Sequence, residues 1–236
     1  MNRSAQGFLL VVVVVGMWFL GCSPTGPKSA NTVTDIDGNV YHTVTIGSQV
    51  WMVENLKTTR YNDGTTIPSV TNDTTWWALA TPGYCWYHDS VSYGATYGAL
   101  YNWYAVATGK LAPTGWHVAT DADWTTLTAY VGGDSVAGEK LKEAGTAHWF
   151  SPNMFPGVTP TPNAIGTNNY GFTALPGGFR GANGFVNVGG DAYWWTAMIN
   201  DTVWDRYMGF YTSVVARGEY DFNYRFGFSV RCVRDN

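Results

Sequence analysis

Apolar and polar residues alternate differently in successive parts of the chain. Phe8 to Leu20 is an unbroken apolar run of 13 residues, short of the roughly 20 that a bilayer-spanning helix needs. From Val33 to Met52 apolar and polar positions alternate, with turn signals at Asp37-Gly38 and Gly47-Ser48. That pattern predicts a three-strand antiparallel meander. The period then lengthens. Leu100, Trp103, Tyr104 and Ala107 recur at helical spacing and predict a helix over Tyr97 to Val106. Trp124, Leu127, Tyr130 and Val131 form a second stripe, ended by Gly132-Gly133. Thr120 stands at its N-cap, with Asp121 and Asp123 at the positive end of the dipole. Ala137 to Ala144 predicts a short third helix. His148 to Asn169 is irregular and rich in Pro and Asn, and long loops of this kind are often functional. Tyr170 to Arg234 returns to short β segments between glycine turns. Phe226, Phe228, Val230 and Cys232 alternate along a closing strand. Meander, helices, then meander gives an α+β fold with a mainly antiparallel sheet and two or three short helices.

The leader changes the picture of where this fold works. Arg3 followed by the apolar run reads as a secretory signal. It ends at Gly21-Cys22, which resembles the lipobox of bacterial lipoproteins. The expected organisation is a signal peptide over 1–21, a tether over 22–31 and one domain over 32–236. Cys22 would carry the lipid, and the membrane would be a partner through it. The expected location is the bacterial outer membrane or cell surface. Lys and Arg number 13 against 17 Asp and Glu, with no basic stripe, so nucleic acid is excluded as a partner class. Charged residues make up 13% of the chain and aromatics 16%, which speaks for a packed, β-rich exported domain rather than a disordered one. Beyond Cys22 only Cys85 and Cys232 remain. In an oxidising compartment this even pair is expected to form a disulfide.

Candidate chemistry is thin. There is no Gly-x-Ser-x-Gly, no Walker loop and no His-Glu-x-x-His. His42, His88, His117 and His148 share no ligand spacing, and no metal or cofactor is expected. Asp35, Asp37 and Asn39 read as a turn, because Gly38 comes too early for an EF-hand. Glu139 and Glu143 lie beside Lys140 and Lys142 on what reads as a solvated helix face. The stretch "GGFRGANGFVNVGGDAYWWTA" is more informative. Its glycines suit turns, and Arg180 suits a structural role with a carboxylate or loop carbonyls. Successive strand residues face opposite ways, so either one of Trp194 and Trp195 faces out or both are buried by further layers. An outward indole beside polar groups would make a sugar platform or a protein-binding patch. The candidate ligand residues are Trp194, Trp195, Arg180, Asp191 and Trp204.

The blocks "DIDGNVYHTVTIGSQVWMVENLKTTRYNDG", "YGALYNWYAV", "APTGWHVATDADWTTL", "NNYGFTALPGGFRG" and "GFSVRCVRD" follow one another in order. Together they closely resemble the Fibrobacter succinogenes major paralogous domain, over about Thr34 to Asp235. That family occurs in secreted and lipid-anchored bacterial proteins, and its biochemical function is largely undefined. "GWHVATDADW" and "GFSVRCVR" are also distantly similar to blocks of formylglycine-generating enzymes. This similarity implies a C-type-lectin-like fold. The enzymes' closely placed reactive cysteines, which hold copper, have no matching motif here. Ser151-Pro152-Asn153 and Thr161-Pro162-Asn163 lack the leading carboxylate or amide of calcium-dependent lectins. The expected function is therefore a lipid-anchored, non-catalytic adhesion module for a polysaccharide or a surface protein. The alternatives are an enzyme of the formylglycine-generating type and an accessory subunit of a surface assembly such as a pilus.

Overall fold

The structure, a computed structural model, describes residues 31–199, 202–219 and 224–235. The signal segment 1–21, Cys22 and the tether up to residue 30 lie outside the described residues. The described part is mixed α and β, with mostly antiparallel sheets and a few short helices.

The expected meander is present as β1 (Thr32–Thr34), β2 (Val40–Ile46) and β3 (Gln49–Met52). Its first turn is held by Asp35. One carboxylate oxygen accepts the amides of Asp37 and Asn39, both at 2.9 Å, and the other accepts the Tyr41 hydroxyl at 2.6 Å. Gly38 sits at φ +85°, where only glycine is unstrained. The carboxylate is thus spent on closing a turn. Two further strands, β6 (Trp116–Val118) and the closing β12 (Cys232–Arg234), complete a five-stranded sheet in the order β1-β2-β3-β12-β6.

The predicted Tyr97–Val106 helix breaks into pieces. Helix α2 (Val91–Tyr97) stops at Gly98, with φ +81°. Leu100–Tyr101 is a strand, β5, paired antiparallel with β4 (Tyr84–Cys85). Asn102 then caps a single helical turn, α3 (Trp103–Val106), accepting the Ala105 amide at 3.1 Å. The periodic apolar residues therefore belong to a strand and a turn, because tertiary pairing overrides local spacing. Trp76 and Trp77 lie on a further helix, α1 (Asp73–Ala78). Helix α4 (Asp121–Tyr130) starts as expected, with a reciprocal cap between Thr120 and Asp123. Helix α5 (Asp134–Leu141) begins and ends three residues earlier than the pattern suggested.

A hairpin of β7 (Phe179–Gly181) and β8 (Gly184–Val186) leads into the second sheet. That sheet contains β9 (Asp191–Ile199), β10 (Thr202–Gly209) and β11 (Ala216–Glu219), ordered β11-β10-β9. Parallel bridges Thr120–Ala197 and Trp194–Ser229 stitch it to the first sheet's neighbourhood. Its two faces meet two different cores. Trp194 turns to a cluster with Trp51, Trp124 and Phe172, and Trp195 turns to one with Tyr41, Trp103 and Phe228. Both indoles are fully buried, and both N–H groups are satisfied. Trp194 donates to Asn55 Oδ1 at 2.8 Å, and Trp195 to the Tyr101 carbonyl at 2.7 Å. The alternation of the doublet is real, and there is protein on each side of the strand.

The expected disulfide does not form. Cys85 and Cys232 are free, buried thiols. Cys232 packs in the cluster of Tyr41 and Trp195, while Cys85 packs with Trp76, Tyr87 and Leu100 in a third. Each fills its core as a small apolar side chain. Burial raises the Cys85 thiol to about 12 and pushes Cys232 upward as well.

Candidate functional site

The five residues expected to bind ligand are turned to structural use. Trp194 and Trp195 offer no exposed ring. Arg180 is fully buried between the rings of Trp76 and Phe185, 4.8 and 4.7 Å from their centroids. Its guanidinium donates to the carbonyls of Val70 and Thr71 and to Asp73. It thus clamps the approach to α1 onto the β7–β8 hairpin, as the structural reading of Arg180 required. Asp191 is buried and accepts from Asn187 at 2.6 Å and from the Tyr207 hydroxyl at 2.9 Å. Trp204 is only half-buried, but the Arg217 guanidinium covers it, 3.5 Å from the ring centroid, and is itself held by Asp121 at 2.8 Å. The structure does not bring these residues to one open surface.

The chemistry sought at the tryptophan doublet is found at Trp86. This half-buried residue follows β4 and lines a cleft of about 430 Å3 with Asp37, Asn39, Lys57, Thr59 and Val91. One wall is the β1–β2 turn and the chain after β3. The other is α2. Trp86 lies against Gly94 of α2, where an added Cβ would stand 2.7 Å from Cδ2 and 3.0 Å from Cζ3. Only glycine at that position lets the ring seat there. The edge of Trp86 meets Tyr84 at 5.3 Å. Its Nε1–H has no hydrogen-bond partner among the described residues and is not fully buried, so it is free to donate to a ligand.

The opposite wall is fixed electrostatically. Burial works to raise the Asp37 carboxyl. The Thr59 amide, Arg60 and the hydroxyls of Thr59 and Thr58 outweigh it and hold Asp37 at about 2. Asp37 is therefore ionised, matched by Arg60, and locks the chain after β3 against the β1–β2 turn. Lys57 is different. Its ammonium lies 5.9 Å from the Tyr41 ring centroid and makes no ion pair with any described residue. The cleft thus combines an indole face, a free indole N–H, an available ammonium and a side-chain amide on a rigid frame. No group of three His, Cys, Asp or Glu placed to hold a metal ion occurs among the described residues.

A family model described as the Fibrobacter succinogenes major domain matches residues 44–234. The chain belongs to the Fibrobacter succinogenes major domain family. Neither a curated protein nor a solved structure matches it. The span matched to the Fibrobacter succinogenes major domain includes Lys57, Thr59, Trp86 and Gly94, so one entire wall of the cleft belongs to the family unit. Asp37 and Asn39 precede the matched span.

Sequence reasoning missed Trp86 for a physical reason. A lone tryptophan between Cys85 and Tyr87 carries no pattern of its own among twelve tryptophans. Its partners come from turns that are distant in the chain. The only local signal is Gly94 inside a helical segment, since glycine there is unfavourable unless something must pass close by.

Proposed function

We propose that this protein is a lipid-anchored, non-catalytic binding module of the bacterial cell surface, with a C-type-lectin-like fold, that recognises a polysaccharide at the Trp86 cleft. The observation that carries the reading is the half-buried Trp86 indole beside the unpaired Lys57 ammonium, the Asn39 amide and the Thr59 side chain. An indole face suits the apolar face of a pyranose ring, and neighbouring polar groups suit its hydroxyls. Preorganisation helps, because Gly94 and the Asp37 network hold both walls before ligand arrives.

The two cysteines give no support to an enzyme of the formylglycine-generating type. That chemistry needs adjacent thiolates, whereas Cys85 and Cys232 pack in separate clusters with raised thiol pKa values. The decisive experiment is a glycan-array screen of the protein, with calcium and with chelator, beside Trp86→Ala and Lys57→Ala. Retention of a defined glycan that Trp86→Ala abolishes, at unchanged melting temperature, supports the reading. Glycan binding that survives in both variants, or no glycan binding at all, refutes it.

A further inference from the structure

The long segment from His148 to Asn169 carries two Pro-Asn turns, and the fold brings them together. Pro152, Asn153, Pro160, Thr161 and Asn163 line a single groove of about 440 Å3 with Glu139 of α5 and Ile165. The first turn is closed by the Met154 amide on the Ser151 carbonyl at 2.9 Å. The groove is held from below. The Thr161 amide donates to the Tyr211 carbonyl at 2.9 Å, and the Thr167 amide to the Glu139 carbonyl at 2.7 Å.

Lys142, which the pattern assigned to a solvated face, is fully buried under this segment. Its ammonium donates to the carbonyls of Ala164, Gly209 and Thr212 at 2.8, 2.8 and 2.7 Å, and it lies 4.9 Å from the Trp149 ring centroid. Burial lowers it to about 7. The ammonium is used up on the frame, so the one charged side chain lining the groove is Glu139.

Three lining side chains are unused by the fold. The carboxylate of Glu139 and the amides of Asn153 and Asn163 make no hydrogen bond or ion pair with a described residue. The same segment exposes Met154, Phe155, Val158 and Ile165, which are 54%, 43%, 36% and 48% accessible, and Ile165 lines the groove. Those are half of the large apolar side chains exposed among the described residues.

We propose that this groove binds an extended peptide segment of a partner protein that carries a basic residue flanked by apolar ones. A primary amide matches a peptide unit donor for acceptor and acceptor for donor, so two such amides lining one groove suit an extended backbone. Glu139 takes the ammonium or guanidinium of the basic side chain. Pro152, Pro160 and Ile165, which line the groove, receive the neighbouring apolar side chains. No aromatic ring lines the groove, in contrast to the Trp86 cleft, so it lacks the flat face on which a sugar stacks.

The test is a positional-scanning library of immobilised extended hexapeptides, probed with the full chain. Enrichment of Lys or Arg at one position, with apolar residues beside it, is expected. For the best peptide, Glu139→Gln should weaken binding about tenfold or more, since a charged hydrogen bond is removed. The double variant Asn153→Ala, Asn163→Gly, with glycine at the second site because Asn163 stands at φ +59°, should weaken it further. Melting should be unchanged in both, because these side chains bond nothing in the fold. Trp86→Ala should bind the peptide as the wild type does. The proposal is overturned if no sequence-selective peptide emerges, or if the double variant binds as tightly as the wild type. It is equally overturned if a neutral oligosaccharide, and no peptide, is the ligand that the double variant loses.

Discussion

Replacing Gly94 by alanine separates the position of the Trp86 ring from the presence of that ring. An added Cβ would lie 2.7 Å from Cδ2, whereas carbon atoms in contact prefer about 3.5–4.0 Å. The indole must therefore retreat by about 1 Å or tilt out of its seat. The stability terms oppose each other. Alanine in a helix interior gains about 0.8–1.0 kcal/mol over glycine, and overpacking costs about 1–3 kcal/mol when the ring cannot move. Trp86 is half-buried and borders open space, so the ring yields and the net change should stay within about 2 kcal/mol. Binding should suffer far more, because the displaced ring leaves the place where it lines the cleft with Lys57 and Asn39. Isothermal titration with the glycan retained on the array, run beside thermal melting, reads both effects. Gly94→Ala should lose at least about tenfold in affinity, corresponding to about 1.4 kcal/mol, while remaining folded. Wild-type affinity in Gly94→Ala, with Trp86→Ala inactive, would show that ring placement does not govern recognition. The preorganised cleft would then be the wrong explanation.

Other expectations follow from the frame. Trp194→Ala and Trp195→Ala should each cost about 3–5 kcal/mol in chemical denaturation, and neither should change glycan affinity in the fraction that stays folded. A selective loss of affinity in one of them would return the site to the doublet. A thiol reductant should leave the melting temperature unchanged, whereas a Cys85–Cys232 bridge would contribute about 4–5 kcal/mol in the chain-entropy model. A large drop on reduction would contradict the two free thiols. His117 bonds Asp123 at 3.0 Å and Asp235 at 2.8 Å. The Asp123 bond first, opposed by burial and assisted by Asp235, raises the imidazole above its ordinary 6.5. Its stabilisation is complete below that value and is lost as pH rises through the raised folded pKa. The stability gap between wild type and His117→Gln should therefore shrink from about pH 5 to about pH 8. A gap independent of pH would refute the pairing.

What could be read in the chain depended on how local its cause was. The β1–β3 meander and the capped helix α4 were legible, since Asp37-Gly38, Gly47-Ser48 and Thr120 act within a few residues. The breaking of the Tyr97–Val106 pattern was not, because Leu100–Tyr101 is claimed by Tyr84–Cys85 and by a bridge from Tyr101 to Phe228. The doublet's alternation was readable, but whether a second layer covers the outer ring is a property of the whole topology. The disulfide expectation rested on an even count and a compartment, and neither says which core each thiol enters. Lys142 shows the same limit. Its spacing beside Lys140 suggests a wet face, yet three carbonyls from two distant segments enclose it. The two candidate surfaces share this origin, being assembled from turns that meet only after folding.

The burial of β9 on both faces has a consequence for how such a domain can diversify. Trp194 and Trp195 tie two cores to one strand, so almost any change there is felt on both sides. The side chains that line the Trp86 cleft and the long-loop groove sit mostly on turns, and several bond nothing. Glu139, Asn153 and Lys57 can be exchanged with little disturbance to either core, and Asn163, at φ +59°, for glycine. The molecule is in this sense a chassis with interchangeable fittings, in which a new specificity requires rewriting only a handful of turn positions.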